Sequence, residues 1–255
     1  MSPAAKTTTG RIWYAWNRRP AQGRPPLILI HGAGGSHLHW PPQLRNLPGA
    51  STFALDLPGH GRSHGPGRDT IAGYAAAVVA LLDTLHVEQA LLCGHSMGGA
   101  IAQTITLDIP ERVAGLALVG TGAKLRVAPA VLDGVLTDFQ TILALIADWS
   151  YGPAAPANLK QLGAKTMAEV EPAVLHGDFL ACDRFDIRDR LAEIQAPTLV
   201  IGGTADKMTP LKFSRYLAAN IPHAQLKVVK GAGHMMALEQ PREVAAAVAQ
   251  WISGG

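Results

Sequence analysis

The segment Gly94-His95-Ser96-Met97-Gly98 has the residue types and spacing for covalent chemistry. It follows a short apolar run ending at Cys93 and precedes a helical pattern from Gly99 to Ile109, so Ser96 falls on a strand-to-helix turn. A residue on such a turn adopts strained dihedrals, and glycines two positions to either side remove the Cβ atoms that would collide. The turn lifts the Ser96 hydroxyl above the sheet, where the following helix directs its first amides and its positive dipole end. A serine hydroxyl becomes a good nucleophile only when an imidazole takes its proton and a carboxylate orients that imidazole. The carboxylate and the imidazole must be supplied from elsewhere in the chain. Asp206, which follows the apolar run 198–201, and His234, in the glycine-rich loop Gly231-Ala232-Gly233-His234, are the candidates. Asp183 and Asp186 read as surface or ion-pairing acids. Of the other histidines, His95 is tied to the elbow and His60 belongs to the loop before a helix at Ile71. His37, His39, His64, His86, His176 and His223 read as surface or capping residues.

Positioning these groups requires a sheet. Strand patterns at 11–16, 27–30, 51–55, 89–93, 115–119, 198–201 and 226–229 alternate with helical ones, the signature of βαβ units around a mostly parallel sheet. Several runs are continuously apolar, as strands covered on both faces are. Ile71, Tyr74, Ala75, Val78, Leu82 and Leu85 recur at helical spacing, and so do Val244, Val248 and Ile252 after Pro241. The expected fold is α/β: a twisted sheet of seven or eight strands with helices on both faces. The alternation stops across 122–196, which reads as helices separated by Pro and Gly. That stretch is expected to be a helical lid inserted into a core formed by 1–121 and 197–255. Leu132, Leu136, Phe139, Leu143 and Ile146 make one apolar stripe, of which Phe139, Leu143 and Ile146, with Trp149, would face the triad.

Composition excludes several other functions. The 255 residues are 48% hydrophobic and 16% charged, which rules out disorder as the main state. No apolar run approaches the roughly 18 residues of a membrane span, and the first twenty residues show no secretory signal. Two cysteines, Cys93 and Cys182, cannot build a disulfide framework. A cytoplasmic, reducing setting is therefore expected. The net charge of +3 comes from scattered residues, with no basic stripe for nucleic acid. His37-x-His39 has no metal-ligand partners in sequence, and neither a dinucleotide fingerprint nor a P-loop appears, so no metal and no cofactor are expected.

Five segments in order resemble the α/β-hydrolase superfamily, its serine carboxylesterases in particular, and the resemblance spans the chain. They are Leu27-Ile28-Leu29-Ile30-His31-Gly32-Ala33-Gly34-Gly35-Ser36, Asp56-Leu57-Pro58-Gly59-His60-Gly61-Arg62-Ser63, the Ser96 elbow, Ile201-Gly202-Gly203-Thr204-Ala205-Asp206 and the His234 loop. The resemblance implies an oxyanion hole made by the amide of Met97 with that of Ala33 first and Gly34 second. It implies that His31 braces its own loop and that Asp56 and Ser63 shape the neighbouring one. Some members carry the acid after an earlier strand, but Gly120-Thr121-Gly122-Ala123 offers no carboxylate there. The serine disfavours the branches that use an aspartate nucleophile. The expected activity is hydrolysis of small-molecule carboxylic esters by Ser96, His234 and Asp206, with Phe139, Leu143, Ile146, Trp149 and Met235 lining the substrate pocket. Carbon–carbon hydrolysis of a β-diketone or ring-cleavage product, monoacylglycerol lipase activity and a non-turnover small-ligand receptor are the alternatives. The oligomeric state leaves no signature.

Overall fold

The structure, a computed structural model, describes residues 4–19 and 23–254. Its eight strands are β1 (Ala4–Thr7), β2 (Gly10–Trp16), β3 (Leu27–Ile30), β4 (Thr52–Asp56), β5 (Ala90–His95), β6 (Val113–Val119), β7 (Thr198–Gly203) and β8 (Ala224–Val229). They form one sheet in the order β1-β2-β4-β3-β5-β6-β7-β8. The β1–β2 and β2–β4 pairs are antiparallel and the remaining pairs are parallel. The sequence pattern shows every strand except β1. The Ala4–Thr7 segment has little strand propensity of its own and gains its ladder from β2, across a turn ending at Gly10, whose φ is +135°.

Side chains alternate across the central strands with the two-residue period of a pleated sheet. Ile28, Ile30, Leu92, Leu116 and Leu118 belong to one core, whereas Leu27, Leu29, Cys93, Ala117 and Val119 belong to the other. Helices α1 (Ile71–Thr84) and α2 (Met97–Asp108) cover the first face. Thr70 starts α1 by accepting a hydrogen bond from the Gly73 amide at 3.1 Å. The other face is covered in part by the C-terminal helix Pro241–Ile252 through Val244 and Val248.

Strand order reverses between β3 and β5, so the loops leaving their C-terminal ends diverge and open a crevice. Ile30 of β3 lies beside Gly94 of β5, which places the 31–36 loop against Ser96. Between β6 and β7 the chain forms α3 (Pro129–Thr137), α4 (Phe139–Ser150), α5 (Ala157–Ala168) and α6 (Pro172–Arg184). These helices enclose a third apolar cluster that includes Val135, Ile146, Leu175 and Phe179. The expected single stripe from Leu132 to Ile146 is divided between two helices. Asp138 leaves helical geometry at φ −146°, ψ +65° and caps α4, and Leu136 is left 55% exposed.

The elbow depends on close backbone approach. A Cβ on Gly94 would strike the Gly98 carbonyl, and one on Gly98 would strike the carbonyls of Ile30 and His31. Gly98→Ala must therefore separate α2 from β3, at a cost of about 3 kcal/mol. The expected result in a thermal melt is a fall of roughly 6–12 °C for a chain of this size.

Candidate active site

Ser96 sits between β5 and α2 with φ +53° and ψ −119°, a conformation L-residues rarely adopt. Its backbone is held on both sides. The Ser96 amide donates to the Val119 carbonyl at 3.0 Å, and the Ser96 carbonyl accepts from the Thr121 hydroxyl at 2.8 Å and the Gly99 amide at 2.9 Å. No side chain caps α2, so its N-terminal turn opens toward the crevice.

The structure brings His234 and Asp206 together at the same crevice. His234 Nδ1 lies 3.0 Å from Asp206 Oδ2, and both residues are buried. Asp206 Oδ1 also accepts from the Met208 and Thr209 amides at 2.9 and 2.8 Å, while Oδ2 accepts from the Thr209 hydroxyl at 2.8 Å. Burial works to raise the Asp206 carboxyl pKa, but the facing imidazole and the Thr209 donors outweigh it and hold the carboxyl below its ordinary value. With Nδ1–H directed at Asp206, Nε2 is the nitrogen left to act as a base. Asp183, by contrast, accepts from the Val127 amide at 3.0 Å and pairs with Arg126 rather than with His234.

The three amides expected to form an oxyanion hole differ in what they meet. Met97 is the first residue of α2, and neither its amide nor that of Ala33 finds an acceptor within the protein among the described residues. The Gly34 amide, by contrast, donates to Asp178 Oδ2 at 2.8 Å and is already committed within the protein. His31 braces the loop, as the resemblance implies: its Nδ1 pairs with the Gly32 carbonyl at 2.8 Å and its Nε2 accepts from the Leu57 amide at 3.0 Å. Asp56 accepts from the amides of His37 and Arg62, and the Ser63 hydroxyl donates to the Asp56 carbonyl.

Several supporting residues carry no signal in the sequence. Asp178, on α6, is fully buried and also meets His60 Nε2 at 2.8 Å and the Tyr74 hydroxyl. Burial lowers the His60 pKa, but the Asp178 charge and hydrogen bond prevail and leave it raised. The insertion thus anchors the loop that carries Ala33. Glu239 makes a second tie, accepting from the amides of Gly152 and Gly233. The Met235 amide supplies a third by donating to the Ser150 carbonyl at 2.9 Å. An acid or carbonyl with these duties has no motif, because most of its partners lie far away in sequence.

The pocket containing Ser96 and His234 measures about 90 Å³, and Ala33, Ile146, Met167, Phe179, Met208 and Met235 contribute walls. Leu143 lines a smaller cavity of about 20 Å³ that shares Ile146 and Met235 with it. Phe139 and Trp149 line neither and pack with the insertion's own cluster. Phe139 lies one turn farther out along α4 than Leu143, and Trp149 is rotated away from the face shared by Leu143, Ile146 and Ser150. His39, expected at the surface, is instead part of the pocket wall, with its Nδ1 buried and unpartnered. His95 is buried too and donates from Nε2 to the His234 carbonyl at 3.0 Å.

This geometry has close parallels. The family model described as "Alpha/beta hydrolase family" matches residues 27–247. The chain belongs to the alpha/beta hydrolase family. A protein of Caulobacter sp. (strain K31) described as a carbamate hydrolase, RutD, is 31% identical over 97% of this chain and 97% of its own. The 2-hydroxy-6-oxo-6-phenylhexa-2,4-dienoate hydrolase of Burkholderia cepacia is 30% identical, covering 82% of this chain and 80% of its own. A solved thermophilic esterase is 31% identical, covers 98% of this chain and 96% of its own, and superposes with a TM-score of 0.86. The protein is a hydrolase. Among the described residues no helix is long and apolar enough to cross a membrane.

The buried histidines set an acid limit on stability. Burial, reinforced by neighbouring imidazoles, holds His31 and His95 well below the ordinary value and lowers His39 to about 4. Below about pH 6.5 the unfolded chain binds protons that these folded sites refuse, so each reduces stability as pH falls toward its folded value. His60, with its raised pKa, has the opposite sign: its contribution is complete below about pH 6.5 and fades as pH rises through its folded value. Three groups outweigh one on the acid side. The melting temperature should fall between pH 7 and about pH 5, and His39→Gln should flatten that slope. A slope unchanged in the variant would remove His39 from the account.

Proposed function

We propose that the protein is a serine hydrolase that cleaves carboxylic esters through an acyl-enzyme. The observation that carries this reading is the His234–Asp206 pair at 3.0 Å in the same crevice as the strained Ser96 elbow. Ser96 attacks the acyl carbonyl and gives its proton to His234 Nε2. The developing oxyanion is held by the amides of Met97 and Ala33. His234 protonates the leaving alcohol and then activates water, which releases the acid. Asp206 holds the imidazole in the required tautomer and stabilises its charge when protonated. In this reading the helical insertion acts as a lid, and Ile146, Leu143 and Met235 bound the acyl chain.

The esterase and the carbon–carbon hydrolase among the relatives keep two substrate classes in view, and the small apolar pocket supports the ester. A series of p-nitrophenyl esters run beside a vinylogous β-diketone separates them. Preference for the diketone would overturn the ester assignment.

Ser96→Ala should lower turnover by about a million-fold with the fold intact, and a serine-directed organophosphorus probe should label Ser96. Asp206→Asn should lower it by about 10⁴, whereas Asp183→Asn should be nearly silent. Full activity in the Ser96 variant, or equal losses at the two acids, would sink the assignment. Ile146→Ala should move the preferred ester toward longer chains, since a pocket wall discriminates by about 1–3 kcal/mol per methylene, while acetate hydrolysis changes little. A lowered melting temperature with an unchanged ester profile would make Ile146 a packing residue only.

A further inference from the structure

Beside the pocket of Ser96 lies a larger groove of about 520 Å³. One wall comes from the segment that opens the insertion, with Lys124 and Arg126, and from Arg188, just after the insertion's last α-helix. The opposite wall is Met208 and helix α7 (Leu211–Asn220), with Lys212, Phe213 and Tyr216. Backbone pairing fixes the first wall: Lys124 bridges Asp186, the Leu125 amide donates to the Phe185 carbonyl, and the Ile187 amide donates to the Ala123 carbonyl. Arg126, Met208 and Phe213 line both cavities, so the groove continues directly into the site.

The groove carries excess positive charge. Four cations line it and no carboxylate does. Asp186 pairs with Lys124 at 2.7 Å and Arg188 at 2.8 Å, and Asp183 pairs with Arg126 at 3.3 Å. Lys212 has no carboxylate partner among the described residues, and its ammonium lies 5.7 Å from the Phe213 ring centroid. Two acids thus neutralise only part of the charge, and the guanidinium groups keep donors that a single carboxylate does not use. A cleft of one sign with apolar walls concentrates its field, whereas the same cations spread over an open face would not. Phe213, Tyr216 and Met208 add the apolar surface that a hydrocarbon linker would follow.

We infer that this groove binds an anionic group, a carboxylate or a phosphate, borne by the substrate at the end of a chain leading away from the scissile carbonyl. The favoured substrates are then esters of acids that carry a second, anionic end. In its catalytic part the inference rests on the reading of Ser96 as the nucleophile; in its binding part it does not.

The binding test uses the wild-type protein, Lys212→Gln and Lys212→Glu. Straight-chain dicarboxylates and monocarboxylates of equal length are titrated calorimetrically, with terminal phosphates in a parallel series to distinguish the two anions. The dicarboxylate or phosphate should bind roughly two- to fivefold tighter than its matched monocarboxylate in low salt. That advantage should shrink with added salt, weaken in Lys212→Gln and disappear in Lys212→Glu. In the kinetic arm, the ratio of kcat/KM for p-nitrophenyl half-esters to that for their neutral methyl-capped counterparts should follow the same order. Equal affinities in the wild type, or an anion advantage that neither Lys212 variant changes, overturn the groove. A binding advantage without turnover of any ester would instead overturn the ester reading and leave the groove in place.

Discussion

Ser96 is held at φ +53° inside an otherwise regular strand-to-helix passage, and the surrounding structure is arranged to tolerate that strain. A non-glycine residue there costs of order 1–3 kcal/mol, so it persists only where its neighbours over-determine it. Here they do. β5 and β6 pair up to His95 and Val119, Val119 accepts the Ser96 amide, Thr121 donates to its carbonyl, and Gly94 and Gly98 let α2 approach β3. The same constraint leaves the first amides of α2 unpaired and directed at the crevice. Backbone strain, unpaired helix amides and the place of the Ser96 side chain at the crevice are therefore consequences of one turn.

A second constraint joins the helical insertion to that turn. Asp178 reaches from α6 to the amide of Gly34 and, through His60 and Tyr74, to the loop and helix after β4. A buried carboxylate is tolerable only when its oxygens are satisfied, and these three donors satisfy it. Glu239 and the Ser150 carbonyl perform a similar task at the other end of the crevice, next to His234. The insertion is thus tied to both loops that must stay in register with Ser96, and its position and the site's geometry are not independent.

Electrostatics divide the site's surroundings in two. Around Ser96 the imidazoles of His31, His39 and His95 are kept neutral by burial, so the charge bordering the pocket comes from the Asp206–His234 pair and from Arg126, which the pocket shares with the groove. Beyond Arg126 the cationic groove begins. Charge is thus sparse beside Ser96 and cationic in the groove, and the proposed substrate, with one uncharged end and one anionic end, follows that division.

Much of this was legible in the chain because it is written locally. Period-two and near-continuous apolar runs define β2 to β8, a strand-to-helix turn needs glycines at fixed offsets, and Ser96, Asp206 and His234 stand where those elements end. Other features arise only when distant segments meet. β1 exists because β2 offers it a ladder, and the Gly34 amide is committed because Asp178, 144 residues away, accepts from it. His37 and His39 look like surface or capping residues in sequence, but His37 is buried against Asp56 and His39 lines the pocket. Phe139 and Trp149 share the apolar character of Leu143 and Ile146, but a helix sorts residues by angle and axial height as well as by type. Only the packed α4 shows which of them reach the pocket. Sequence specifies the elements and the motifs at their ends, whereas burial, partner choice and the direction of a helix face are properties of the assembled layers.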